Sequence, residues 1–175
     1  MAIRTVGVVG SGQMGSGIAQ VAACCGMEVT MVDIKQEYLD RGVSAISNSL
    51  EKLVSKERMS REDADSAFSR IDSSVELESL SNCDLVVEAI PEVPELKFST
   101  FSKLDSICKP QAILASNTSS ISINEIARHT NRADRVIGMH FMNPVPIMKL
   151  VEIINGSETS EEVTSQVISA SEEMG

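Results

Sequence analysis

Tryptophan is absent and aromatic residues make up only 3% of the chain, so any core must be assembled from Val, Ile, Leu, Ala and Met. No apolar run approaches the roughly 18 residues that span a bilayer. Positive charge is also scarce: 15 Lys and Arg stand against 25 Asp and Glu, a net charge of −10. With no basic cluster, nucleic acid and anionic membranes are poor partners, and a polyanionic ligand would need a few lysines gathered locally. Cys24, Cys25, Cys83 and Cys108 have no CxxC spacing and no nearby His. They read as small thiols in a reducing compartment rather than as a metal centre or disulfide framework. The chain starts Met-Ala-Ile-Arg and enters its first apolar run by residue 5. A signal or transit peptide has no room there, so a cytoplasmic or peroxisomal location is expected. At 175 residues, 42% hydrophobic and 23% charged, the composition fits one globular domain.

What the chain does have is concentrated near its start: Thr5-Val-Gly-Val-Val-Gly10-Ser-Gly12-Gln-Met-Gly15. Val6 to Val9 reads as a buried parallel strand that breaks into Gly10-x-Gly12-x-x-Gly15, with a helical segment following from Met14 to Cys25. Gly10 permits the tight turn, Gly12 offers no Cβ against an approaching pyrophosphate, and Gly15 lets the helix lie close to the sheet. The helix N-terminus then aims unpaired N–H groups at phosphates. The next apolar run, Val29 to Val32, ends at Asp33, where a carboxylate can accept adenosine ribose hydroxyls and repel a 2′-phosphate. NAD is therefore the expected cofactor.

Strand-like and helical patterns alternate through the rest. Strands are expected at 6–9, 29–32, 85–87, 113–115, 136–139 and 150–154, and helices at 14–25, 36–53, 61–68, 94–107 and 122–129. This alternation implies an α/β fold with a doubly wound parallel sheet of Rossmann type. The charged stretch 36–68 is too long for an ordinary crossover and reads as a helical hairpin inserted after the second strand and projecting from the sheet. The last segment, Ser160 to Met174, is amphipathic, and Val163, Val167, Ile168 and Met174 are expected to leave apolar surface exposed.

Ligands of open α/β sheets sit beyond the carboxyl ends of the strands. Those ends carry Gly10 to Gly15, Asp33, Glu88 to Glu92, Ser116-Asn-Thr-Ser-Ser120 and His140-Phe-Met-Asn-Pro144. A strand, the Asn143-Pro-Val-Pro146 turn and a returning strand would bring Glu152 beside His140. A carboxylate on the imidazole fixes its tautomer and stabilises the imidazolium, so the pair could take a proton from an alcohol. His129, near a helix C-terminus, reads as a solvated or dipole-facing residue.

The segments GSGQMGSGIAQ, DLVVEAIPE, ASNTSSISI and GMHFMNPVPIMKLVEII make the chain resemble the NAD-binding domain of the L-3-hydroxyacyl-CoA dehydrogenase family, which includes 3-hydroxybutyryl-CoA dehydrogenases of fatty acid metabolism. The resemblance runs over essentially all 175 residues. It implies NAD-dependent interconversion of an (S)-3-hydroxyacyl-CoA and the 3-oxoacyl-CoA. By position it makes His140 the base, Glu152 its partner and Ser119 the hydrogen-bonder of the substrate's 3-oxygen near the nicotinamide. Gly10, Gly12, Gly15, Asp33, Glu92, Lys97 and Asn143 match cofactor-contacting positions, while Ser49 and Lys56 match positions that touch CoA. The resemblance also implies a helical C-terminal domain that supplies the dimer interface and much of the acyl pocket. These 175 residues do not contain it. Two other readings are a non-catalytic or split NAD-binding module and a related dehydrogenase of a sugar acid such as L-gulonate. The aromatic after His140, together with Lys56, favours acyl-CoA.

Overall fold

A computed structural model describes residues 2–175. Six strands run parallel: β1 (Thr5–Val9), β2 (Glu28–Val32), β3 (Ile71–Ser74), β4 (Leu85–Glu88), β5 (Ile113–Ser116) and β6 (Val136–Phe141). A seventh, β7 (Val151–Asn155), returns antiparallel to β6. The sheet order is β3-β2-β1-β4-β5-β6-β7, so the chain reverses its direction of growth between β1 and β4. In such sheets that reversal opens a crevice beyond the strand ends.

Alternate residues of the strands feed two separate cores, because successive side chains point to opposite faces. Val6, Val8, Leu85, Val87, Ile113 and Ala115 join one core with α1 (Gln13–Cys24), α2 (Gln36–Ser55), α3 (Arg61–Ser69) and α6 (Glu161–Glu173). Val9, Val86 and Leu114 join the other with α4 (Pro94–Ile107) and α5 (Ile123–Ala127). β1, β4 and β5 are almost continuously apolar because both of their faces are covered.

Three expectations change. The helical hairpin after β2 does not project freely: α2 and α3 bury Leu39, Ile46, Leu50 and Ala64 in the first core, and Arg61 of α3 forks onto both carboxylate oxygens of Glu51 in α2. Gly42 makes this packing possible, since a Cβ there would come within 2.7 Å of the Ser11 carbonyl. β3, Ile-Asp-Ser-Ser, escaped the pattern analysis because this edge strand carries one apolar residue. On α6, Val163 and Val167 are fully buried and Met174 is partly so. Of the expected exposed face only Ile168, at 42% exposure, remains.

Candidate active site

The glycine turn depends on close backbone approaches. Gly10 adopts φ 102° and a Cβ there would meet the Ala89 carbonyl at 2.6 Å, which closes the turn against the chain beyond β4. A Cβ on Gly15 would lie 1.9 Å from the Gly10 carbonyl, so α1 can begin this close to β1 only with glycine. Gly12 differs: nothing lies within 4 Å of where its Cβ would be. It is the N-cap of α1, with no side-chain cap and no acid in the first turn. α3 and α6, by contrast, are capped by Ser60 and Ser160. The first N–H groups of α1 therefore face open space and can take a diphosphate.

Asp33 follows β2 and turns back toward that loop. Its Oδ2 accepts from the Ser11 N–H and hydroxyl, both at 2.7 Å, and its Oδ1 accepts from the Ile34 N–H at 2.7 Å. Oδ2 thereby uses both of its lone-pair sites, and Oδ1 keeps one for a ribose hydroxyl. Open glycine turn, uncapped helix and oriented carboxylate together fit NAD.

His140 and Glu152 are direct cross-strand partners in the β6–β7 register, and His140 Nδ1 lies 2.8 Å from Glu152 Oε2. The expected pair is thus formed, within hydrogen-bond reach. An ionised Glu152 accepts the Nδ1 proton and leaves Nε2, which has no partner among the described residues, as the acceptor. Ser116 pairs with Gly138 in the adjacent parallel strands. Ser119 and His140 lie three and two residues beyond that pair, so they emerge at the same end of the sheet. Ser119 is exposed, and its hydroxyl makes no hydrogen bond among the described residues.

A buried polar network that sequence reasoning did not assign lies beneath these loops. Glu88 and Lys97 are 0% and 1% exposed, and Lys97 Nζ donates to Glu88 Oε1 at 2.6 Å. Lys97 also donates to the Ile90 carbonyl at 3.2 Å and lies 3.7 Å from Glu92 Oε2. Two of its donors are therefore directed within the protein. The Ile90 N–H and the Ser116 hydroxyl donate to Glu88, each at 2.7 Å. Glu92 is exposed and accepts from the Thr118 hydroxyl, clamping the loop after β4 to the loop after β5. Asn117 Oδ1 accepts from the Phe141 N–H at 2.8 Å, next to His140. The sequence placed Glu88, Glu92 and Ser116 at strand ends and, by resemblance, Glu92 and Lys97 at cofactor-contacting positions, but carried no sign that Glu88 and Lys97 pair in the interior.

Asn143 and Ser49 line one groove, between the loop after β6 and α2. Lys56 is exposed at the end of α2 and has no ion pair among the described residues. His129 falls just beyond α5 and stacks on Phe98, ring centroids 4.3 Å apart.

Residues 5–175 match the family model for the NAD binding domain of 3-hydroxyacyl-CoA dehydrogenase. The whole chain is 48% identical to a probable 3-hydroxybutyryl-CoA dehydrogenase of Bacillus subtilis but spans only 61% of that relative's length. It is 41% identical over 165 residues to a 3-hydroxyadipyl-CoA dehydrogenase of Escherichia coli, covering 35% of that protein. A crystal structure of (S)-3-hydroxybutyryl-CoA dehydrogenase from Ralstonia eutropha is similar at a TM-score of 0.97 and 46% identity, over 99% of this chain and 62% of that one.

Proposed function

This chain belongs to the 3-hydroxyacyl-CoA dehydrogenase family through its NAD-binding domain, and on that premise we propose that it serves NAD-dependent interconversion of a 3-hydroxyacyl-CoA, such as 3-hydroxybutyryl-CoA, and the 3-oxoacyl-CoA. The observation that carries this reading is the 2.8 Å contact between His140 Nδ1 and Glu152 Oε2. NAD supplies the hydride acceptor; the chain's residues bind, orient and move a proton. In the oxidative direction His140 Nε2 takes the proton of the substrate's 3-hydroxyl, and Glu152 stabilises the resulting imidazolium. Ser119 hydrogen-bonds the 3-oxygen and holds it in line with the imidazole. The N-terminus of α1 and Asp33 fix the diphosphate and ribose, Glu92 and Asn143 border the nicotinamide, and Lys97 acts through Glu92 and Glu88. Ser49 and Lys56 contact CoA.

Residues 1–175 form the cofactor and proton-transfer unit, and a helical domain completes the acyl pocket and the dimer. Ile147 and Leu150, 71% and 57% exposed, mark where cover is missing. The test is NADH oxidation with 3-oxobutyryl-CoA on this chain, alongside NAD+ reduction with L-gulonate as the rival substrate. The chain is expected to bind NADH and turn over 3-oxobutyryl-CoA slowly, because small losses of alignment can cost about a hundredfold. His140→Gln should abolish the residual rate, and Glu152→Gln should lower it about a hundredfold or more without changing NADH affinity. Turnover of L-gulonate alone, or activity indifferent to His140, would overturn the reading. Full activity of the unaccompanied chain would remove the need for a helical domain.

A further inference from the structure

Gln20 lies in the middle of α1, where an apolar residue would be expected, and is only 3% exposed. Its amide makes no hydrogen bond to the protein among the described residues. No side-chain N or O atom there is both sealed from solvent and unpartnered. The Gln20 amide must therefore reach open space, and the groove it lines, between α1, α2 and the loop after β6, is that space. Ser16, one turn earlier, is also buried, but its hydroxyl is spent on the Gly12 carbonyl at 2.8 Å. Burying an amide without a partner is costly, so a buried amide left open to a groove is a group waiting for a ligand.

The groove holds about 110 Å³, less than a whole small-molecule site, and so suits a narrow segment of a longer ligand. Its other polar groups, on Gln13, Ser49 and Asn143, are neutral and also lack partners among the described residues, and no ionisable side chain lines it. Such a lining offers a phosphate hydrogen bonds without countercharge. It matches a neutral chain that carries amide carbonyls and N–H groups. Positive charge lies farther along α2, at Lys52 and then at Lys56, the latter seven residues, or about 10 Å, beyond Ser49.

We propose that the Gln20 amide is a recognition group for the neutral, amide-bearing arm of the substrate thioester, which lies in this groove with its phosphate end toward Lys56. This assignment rests on the acyl-CoA reading above. In binding to the reduced-cofactor complex, Gln20 donates to an amide carbonyl of the arm and accepts from an amide N–H, which selects carriers with amides over plain alkyl thioesters.

The test titrates the 175-residue chain and Gln20→Met with NADH, 3-oxobutyryl-CoA and the S-butyl thioester of 3-oxobutyrate, followed by amide NMR shifts. Gln20→Met is expected to weaken 3-oxobutyryl-CoA about fivefold or more while leaving NADH affinity, melting temperature and S-butyl thioester affinity unchanged. If Gln20→Met does not fold, Gln20→Glu, which keeps the shape and loses the donor, should give the same selective loss. Unchanged CoA-thioester affinity, or an equal loss on both thioesters, overturns the assignment of Gln20 and leaves the reading of the site standing. A wild-type chain that binds NADH but neither thioester overturns the acyl-CoA reading and this inference with it.

Discussion

Lys97 and Glu88 lie nine residues apart in different elements, paired at 2.6 Å with almost no solvent contact. Charged residues are almost never fully buried unless paired, and nothing in the sequence pattern pairs these two. Their partnership exists only after α4 has folded back over the end of β4. The His140–Glu152 pair was legible because strand, proline turn and returning strand are local. A direct antiparallel pairing then puts residues twelve apart side by side. Removing one partner of the buried pair strands a charge in the interior. Lys97→Met should therefore lose about 3–5 kcal/mol of unfolding free energy in urea, and adding Glu88→Gln should recover much of it. Equal losses in the single and double variants would show that packing, rather than charge, dominates at this site.

At the scale of elements, the β1–turn–α1 unit separates two jobs of glycine that one motif combines. Gly15 serves the fold and Gly12 serves the ligand, since a Cβ on the first would collide at 1.9 Å with the Gly10 carbonyl and on the second would meet nothing. Gly15→Ala is expected to unfold the chain or lower its melting temperature steeply. Gly12→Ala should melt within a few degrees of the parent, because losing Gly for Ala at an N-cap costs about 1 kcal/mol, yet bind NADH at least about tenfold more weakly. Calorimetry and a fluorescence titration would check the pair, and matching behaviour of the two variants would contradict the division. The turn, its strand and the two acids at the ends of β2 and β4 were readable because hydrophobic runs and glycine spacing are strong local signals. β3 and the inward face of α6 were not, since one short polar edge strand gives no periodicity and amphipathicity does not say which partner covers a helix.

Across the whole molecule, the carboxyl ends of the strands carry the chemistry, and the opposite ends carry a charged clamp. Burial would raise the Asp84 carboxyl. Lys109 at 2.7 Å and the N–H groups of Arg4 and Thr5 outweigh it and hold the group at about 2. Asp105 is likewise lowered against the effect of its burial, by the Asn131 N–H and by Arg132. Both carboxyls bind protons more weakly folded than unfolded. Their contribution is thus complete above about pH 4 and is lost as pH falls toward 2. Circular dichroism from pH 5 to 2 should show a steep loss of stability that Asp84→Asn flattens while lowering stability at neutral pH. The sheet is also divided along its width. The glycine turn and Asp33 lie around β1 and β2, while Glu152 belongs to β7, a mostly exposed edge strand hydrogen-bonded to the sheet through β6 alone. Edge strands with little burial open more easily than central ones. Hydrogen exchange should accordingly find β7 amides exchanging well before those of β1, and each such opening takes the carboxylate away from His140. Proton transfer in this fold thus depends on a local opening equilibrium that cofactor binding need not feel, so the two activities can be lost at different temperatures.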